Sequence, residues 1–431
     1  MWNEVQWIKI PDMELRNKQI LHGDLGGRFA YFRLEQELPA DARLTARITA
    51  VSRYRLWVND QAVLSGSCKG DLNRQYYETV SLTPYLHAGK NVFAVQVLYN
   101  DPDIARDQTD ERAAIYGVVG AGNCHALAID GDITDAFGRV IGTISTGKAL
   151  WRVWLDHTFY LKSSEYTVYL GATEESVDAR RSPLEWKRLD FDASSWSLAC
   201  ASGPVMPSAL FQSVGLIPRV HLMPREIPLM EETECAFARV IRRKNDLVLD
   251  AGVEVNGYPR FSFNGNAGTE ITVTYLERFG NGADGARIDD MGGTVEGRAD
   301  HIILNGHLVN YEPFWVRTFR YIVVKSSDGK LPEMPAAQVY RKTGYPLSVE
   351  STVDSSTPWV GQLWGICLRT LQNCMLETYM DCPYYEQLQF IMDTRLQMLF
   401  TYAVSRDARL AKKALLDFHC GMRPEGLLPG K

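Results

Sequence analysis

The chain has 431 residues, 45% of them hydrophobic and 23% charged, with a formal net charge of −6. That length suggests about two to four domains, with ample apolar material for their cores. The composition excludes wholesale disorder and collagen-like repetition. No run of eighteen apolar residues exists, which excludes a transmembrane helix. The mild acidity argues against a nucleic-acid partner, which normally meets a basic stripe.

Met1-Trp-Asn-Glu-Val-Gln-Trp7 has neither a basic n-region nor an apolar h-region. A cytoplasmic location is therefore expected, with a secreted or periplasmic one left open if the N-terminus is clipped. Cys68, Cys124, Cys200, Cys235, Cys367, Cys374, Cys382 and Cys420 are scattered, with no CxxC and no zinc spacing. They read as reduced thiols rather than a disulfide framework.

To about residue 345 the pattern is β. Leu44, Ala46, Ile48 and Ala50 alternate with polar neighbours, as do Tyr54, Leu56 and Val58, and Asn59-Asp60 marks a turn. Val92 to Leu98 reads as a buried strand, and Ala126 to Ile129, Val140 to Ile144 and Leu150 to Leu155 continue the series. Pro204, Pro207, Pro218, Pro224 and Pro228 mark a linker or an extended crossing. A second β stretch follows with Leu247 and Leu249, then Ile271, Val273 and Tyr275, then Phe319, Tyr321 and Val323. Its turn clusters fall at Asn264-Gly265-Asn266 and Gly280-Asn281-Gly282. Regular short strands with Gly/Asn/Asp turns indicate β-sandwich modules rather than βαβ units.

After Pro346 the period becomes helical. Leu363, Trp364, Cys367, Leu371, Met375 and Leu376 share one face, then Leu388, Ile391, Met392, Leu396 and Leu399, then Ala408, Ala411, Ala414, Leu415 and Phe418. The expected fold is multidomain and mainly β, followed by the start of an all-α array. The expected domains are residues 1–205, 206–345 and 346–431.

Several features resemble chemistry without supporting it. Gly120-Ala-Gly122 precedes His125 and a strand pattern, so it lacks the context of a dinucleotide loop. Asp130-Gly-Asp132-Ile-Thr134-Asp135 lacks the EF-hand order and reads as a polar hairpin turn. No HExxH pair or Gly-x-Ser-x-Gly elbow is present. No metal or cofactor is expected. Ten tryptophans and twenty tyrosines offer surfaces for sugar rings, but individual rings such as Trp57 and Trp315 read as core.

The most informative stretch is Tyr379-Met-Asp381-Cys-Pro383-Tyr-Tyr-Glu386-Gln-Leu-Gln389-Phe-Ile-Met-Asp393-Thr-Arg395-Leu-Gln397. Pro383 suits a first helical turn and Asp381 its N-cap. On that helix Glu386, Gln389, Asp393 and Gln397 share one face, and Leu388, Met392, Leu396 and Leu399 the opposite one. Arg395, beside the apolar stripe, would need a carboxylate partner. A carboxylate face without lysine is what glycoside hydrolysis uses, with one protonated acid and one ionised partner. The positive helix N-terminus works against a raised pKa at Glu386. The plain alternative is a surface helix with an ordinary cap.

The order of these parts resembles bacterial α-L-rhamnosidases of glycoside hydrolase family 78, in which β-sandwich modules precede an (α/α) six-hairpin barrel. Tyr54-Arg-Leu-Trp-Val-Asn-Asp60, Tyr77 to Leu86 and Gly89-Lys-Asn-Val92 resemble the family's N-terminal sandwich, and Asp190-Phe-Asp-Ala-Ser-Ser-Trp196 its closing segment. Leu249-Asp-Ala-Gly252, Asn266-Ala-Gly-Thr269, Tyr311-Glu-Pro313 and Phe319-Arg-Tyr321 resemble its next β domain. Asp381-Cys-Pro383, with Glu386 five residues and Asp393 twelve residues after Asp381, is similar to the catalytic motif.

The resemblance implies an inverting glycosidase acting on terminal α-L-rhamnosyl residues. It implies that Glu386 is the general acid and that Asp381 and Asp393 hold the sugar, with Tyr385 and Phe390 as further substrate-binding candidates. The family usually has Arg where Tyr385 stands, Gly-Trp where Gln389-Phe390 stand, and Gly where Met392 stands. Loss of the Arg removes a charge and a donor beside the acid. Nothing in the chain matches the family's distal base, so the expectation is a truncated chain that is inactive or nearly so alone. A carbohydrate is the expected partner, with neither nucleic acid nor membrane. A non-catalytic carbohydrate-binding protein and a glycosidase for another sugar remain the alternatives.

Overall fold

A computed structural model describes residues 2, 4–11, 24–70, 74–100, 126–162, 174–205, 222–280, 287–288, 291–335 and 337–430. Gly120 to His125, Cys124 included, Pro207, Pro218, and the Asn281-Gly282 turn lie outside them. The chain forms two compact units. The first takes the described residues up to 100, between 126 and 161, and between 182 and 225. The second takes residue 162, 174–181 and those from 226 onward.

The first unit is a sandwich of two sheets. In one, Arg43–Ala50 pairs with Gln75–Ser81 on one side and with Leu127–Asp130 and Asp132–Thr134 on the other. In the other sheet, Asp24–Leu38 pairs with Gly89–Asn100, which pairs with Tyr54–Val58, which pairs with Gln61–Gly66. The alternation read in the sequence sets the inward faces: Leu44, Ala46, Ile48 and Ala50 are buried while Arg43 and Thr45 are exposed. These side chains share one core with Phe32, Leu34, Leu56, Val95 and Val97. Each buried Leu, Ile, Val or Phe among them contributes about 1.5–3 kcal/mol.

Asn59 and Asp60 have φ of 52° and 63°. Two consecutive left-handed residues suit a tight hairpin between right-twisted strands, and Asn and Asp tolerate that region. The Asp135 carboxylate accepts from the Phe137 and Arg139 amides, so the acidic stretch closes a turn. The segment around Asp190–Trp196 covers the sandwich's outer aromatic face, where Tyr31 stacks on Trp186 at 4.6 Å and Trp196 stacks on Trp154 at 6.0 Å.

The second unit contains a sheet ordered Glu231–Ala236, Val339–Gly344, Asp246–Asn264, Arg317–Ser326, Glu270–Leu276 and Arg298–Ile303, all antiparallel. Glu174–Asp178 joins Arg298–Ile303 in parallel. The pairing of Asp246–Asn264 with Arg317–Ser326 slips between Asp250 and Val255, and Gly252, at φ 84°, lies within that bulge.

His301 bridges the two strands that flank its own. Its Nδ1 lies 2.8 Å from Glu270 and its Nε2 3.6 Å from Glu174. Burial lowers the His301 pKa, but its bonds to Glu174 and Glu270 outweigh that and raise it above 6.5. Below about pH 6.5 both folded and unfolded forms are protonated, so the added stability is fully present. As pH rises through the folded-state pKa, that stability is lost. Thermal unfolding at pH 5.5 and 8.5 is expected to show a stability decline in the wild type that His301→Gln flattens.

Three helices follow: α1 (Val360–Asn373), α2 (Ile391–Val404) and α3 (Arg409–Cys420). Two expectations for α2 are corrected. It begins at Ile391 rather than at Pro383, because Gln387 takes φ 55° and breaks the helical path before it. The expected apolar face also does not pack inward. Met392, Leu396 and Leu399 are exposed, whereas Thr394, Thr401 and Val404 are buried. Polar contacts hold this inner side: Gln397 Nε2 donates to the Met380 carbonyl at 2.6 Å, and the Tyr379 hydroxyl bonds Thr401 Oγ1 at 2.9 Å. Arg395 is exposed, so it has no need of the carboxylate partner expected for it.

Candidate functional site

Residues 381–388 form a closed loop. The Asp381 amide donates to the Leu388 carbonyl at 2.9 Å, and the Leu388 amide donates back to Asp381 Oδ1 at 3.1 Å. The Gln387 amide donates to the Cys382 carbonyl at 3.1 Å, and the Glu386 amide lies 3.3 Å from Cys382 Sγ. Asp381 therefore caps this loop and not a helix. Glu386 stands in a turn five residues ahead of Ile391, so the expected conflict with a helix N-terminus does not arise at its position.

The loop rests on the β-sheet of the same unit. Arg298 donates to the Tyr384 and Tyr385 carbonyls at 3.4 and 2.8 Å. The Tyr384 hydroxyl donates to the Tyr275 carbonyl at 2.6 Å, and the Thr318 hydroxyl to the Pro383 carbonyl at 2.6 Å. The Trp315 indole N–H donates to Gln387 Oε1 at 2.7 Å, and Gln387 Nε2 donates to the Pro383 carbonyl at 2.8 Å.

Gly297 makes this seating possible. A Cβ there would lie 2.2 Å from the Tyr275 carbonyl and 2.7 Å from the Tyr384 hydroxyl. Gly297→Ala is expected to cost about 1–3 kcal/mol as overpacking, read as a lower urea midpoint.

Beneath the loop lies a buried charge network. Arg317 reaches Asp300 at 2.6 Å and Glu175 at 3.1 Å. The Glu175 carboxylate also accepts from the Phe314 and Trp315 amides, both at 2.9 Å. Burial pushes Glu175 up to about 7, against the pull of Arg317. The acidic loop is therefore carried on a segment whose backbone is itself fixed by a buried carboxylate.

Of the candidates read from sequence, Asp381, Tyr385 and Glu386 share this loop, Phe390 precedes α2, and Asp393 is exposed in its first turn. Tyr385 packs edge-on against Tyr384 at 5.0 Å. Burial pushes the Cys374 thiol up to about 12, and the carboxylates of Glu254, Asp381 and Asp393 add to the shift. Among the described residues, no disulfide joins the seven cysteines. Trp57 and Trp315 are buried, as expected for core rings. Sequence reasoning missed Arg298, Trp315, Thr318 and Gln387 as holders of the loop. Three of them lie about 65–90 residues upstream, and only the folded sheet brings them to it.

A separate cleft of about 800 Å³ opens in the first unit, lined by Glu35, Lys90, Lys148, Leu150, Arg152 and Phe191 among others.

β-sandwich modules leading into helices, with a carboxylate loop seated between sheet and helices of the second unit, define a multidomain, mainly β protein with a helical C-terminal part. Residues 241–340 match the bacterial alpha-L-rhamnosidase concanavalin-like domain, and residues 348–431 match the bacterial alpha-L-rhamnosidase six-hairpin glycosidase domain. Residues 241–340 and 348–431 thus carry two domains of the bacterial α-L-rhamnosidase type. No curated protein matches the sequence.

Solved structures share its fold. The family 78 rhamnosidase of Bacillus sp. GL1 is 15% identical with a TM-score of 0.69, covering 96% of this chain and 62% of its own. The Streptomyces avermitilis α-L-rhamnosidase complexed with L-rhamnose is 19% identical with a TM-score of 0.68, covering 94% and 37%. The enzyme of Dictyoglomus thermophilum is 17% identical with a TM-score of 0.72, covering 100% and 46%. The chain thus spans between about a third and two thirds of these proteins.

Proposed function

We propose that this chain carries the acid-bearing part of an inverting α-L-rhamnosidase. One observation carries the reading: a single hydrogen-bonded loop holds both Asp381 and Glu386, within the stretch that matches the six-hairpin glycosidase domain. Glu386 donates its proton to the glycosidic oxygen as the bond from that oxygen to the sugar breaks. Water attacks the opposite face of the sugar, loses its proton to a base, and leaves the β-anomer. Asp381 and Asp393 bind ring hydroxyls, and Tyr385 and Phe390 flank the sugar. The proposal assigns the acid and not the base.

The test is release of rhamnose from α-L-rhamnosides by wild type and Glu386→Gln, with the first-formed anomer read by NMR. Equal and measurable turnover in the two proteins, or an α-anomer product, overturns the reading.

A second reading, sugar binding without turnover by the first unit, is favoured by the cleft of about 800 Å³ that joins charged side chains with Leu150 and Phe191. Calorimetric rhamnose binding that persists in Asp381→Asn and is lost in Lys148→Ala would select it.

A further inference from the structure

We propose that Trp315 and Gln387 are positioning residues: a two-sided bolt, from sheet to loop, that fixes the backbone presenting Glu386. The inference rests on the reading of Glu386 as the acid.

The chemistry of the bolt is polar in one sense only. An indole N–H is donor-only, and the Pro383 carbonyl is acceptor-only. The side chain between them must accept on one side and donate on the other, which an amide does and neither a carboxylate nor an alkyl group can. Gln387 meets both, at 2.7 Å to Trp315 Nε1 and 2.8 Å to the Pro383 carbonyl. Both residues are buried, Gln387 at 1% exposure and Trp315 at 5%. Without its partner, either would bury an unmatched polar atom.

The backbone shows what the bolt restrains. Gln387 holds φ at 55°, a region that a non-glycine residue keeps only when its surroundings impose it. Glu386 precedes this residue directly, so release of the Gln387 side chain frees the peptide that aims Glu386. Trp315 is itself held from behind, because its amide donates to Glu175. The line Glu175, Trp315, Gln387 thus ties the buried charge network to the loop, and the β-domain takes part in the site without touching substrate.

The test uses the 431-residue chain with Trp315→Phe, which keeps a ring and removes the donor, and Gln387→Glu, which keeps the shape and reverses the polarity at Pro383. Amide exchange is compared with wild type at the same pH. At pH 7.5 both variants are expected to lose at least tenfold protection at the Gln387 and Leu388 amides, with strand 317–326 unchanged. At pH 5 the introduced carboxyl protonates and again donates to Pro383, so Gln387→Glu regains protection and Trp315→Phe does not.

On an α-L-rhamnoside, kcat is expected to fall about tenfold with KM within twofold. Unchanged loop protection, a uniform loss across the sheet, or lost protection with kcat intact would each overturn the proposal. Where the wild-type chain shows no turnover, the exchange pattern alone decides whether the bolt holds the loop.

Discussion

Replacing Arg317 with methionine is expected to cost about 3–5 kcal/mol, because it strands two buried carboxylates. Arg317 is 3% exposed, and Asp300 and Glu175 are each 1% exposed. Its guanidinium bonds Asp300 at 2.6 and 3.2 Å and lies 3.1 Å from Glu175. The Tyr275 hydroxyl donates to Asp300 at 2.7 Å but carries no charge to replace the lost cation. Against a typical stability of about 5–15 kcal/mol, the loss is a large fraction. Denaturant unfolding is expected to show a lower midpoint at an unchanged slope.

The pH dependence has a definite sign. Burial already raises Glu175 to about 7 with Arg317 present, and without that cation it rises further. A carboxylate whose folded pKa exceeds its unfolded value gives stability that is full below the unfolded pKa and is lost as pH rises. The Arg317→Met penalty should therefore shrink between pH 7.5 and pH 5. Adding Glu175→Gln to Arg317→Met should recover part of it, and a purely additive double variant would mean the three groups do not act together.

The strands were legible because their pattern is local. Leu44, Ala46, Ile48 and Ala50 announce a buried face two residues at a time, and Asn59-Asp60 announces the hairpin that follows Val58. The spacing of Asp381, Glu386 and Asp393 was equally visible. The conformation of that stretch was not. Glu386, Gln389, Asp393 and Gln397 keep helical spacing whether or not the first part is helical, and a left-handed Gln387 leaves no mark on that spacing.

The faces of α2 were misread for a related reason. Hydrophobic periodicity assumes an apolar neighbour, whereas the inner side of α2 meets Tyr379 and the Met380 carbonyl and bonds them through Thr401 and Gln397. The parallel pairing of Glu174–Asp178 with Arg298–Ile303, and the reach of Trp315 to Gln387 across 72 positions, carry no short-range signal.

On the role proposed for Glu386, Glu386→Gln is expected to lose about 10²–10⁴-fold in kcat/KM on a rhamnoside with an alkyl leaving group. An alkoxide leaves poorly unless protonated, so the acid carries most of the effect. A dinitrophenolate leaves without a proton, so the same substitution should cost that substrate less than tenfold. The pH profile should change in parallel. The acid works only while protonated, so wild-type activity falls on the basic side, and that limb should vanish in the variant.

A uniform loss across both leaving groups would point to binding or to loop structure instead. Asp381→Asn supplies the contrast, because Asp381 Oδ1 also accepts the Leu388 amide. Its loss should be independent of the leaving group and should loosen the 381–388 closure. Leaving-group dependence at Glu386 with none at Asp381 would separate the proton donor from the residue that shapes the loop around it.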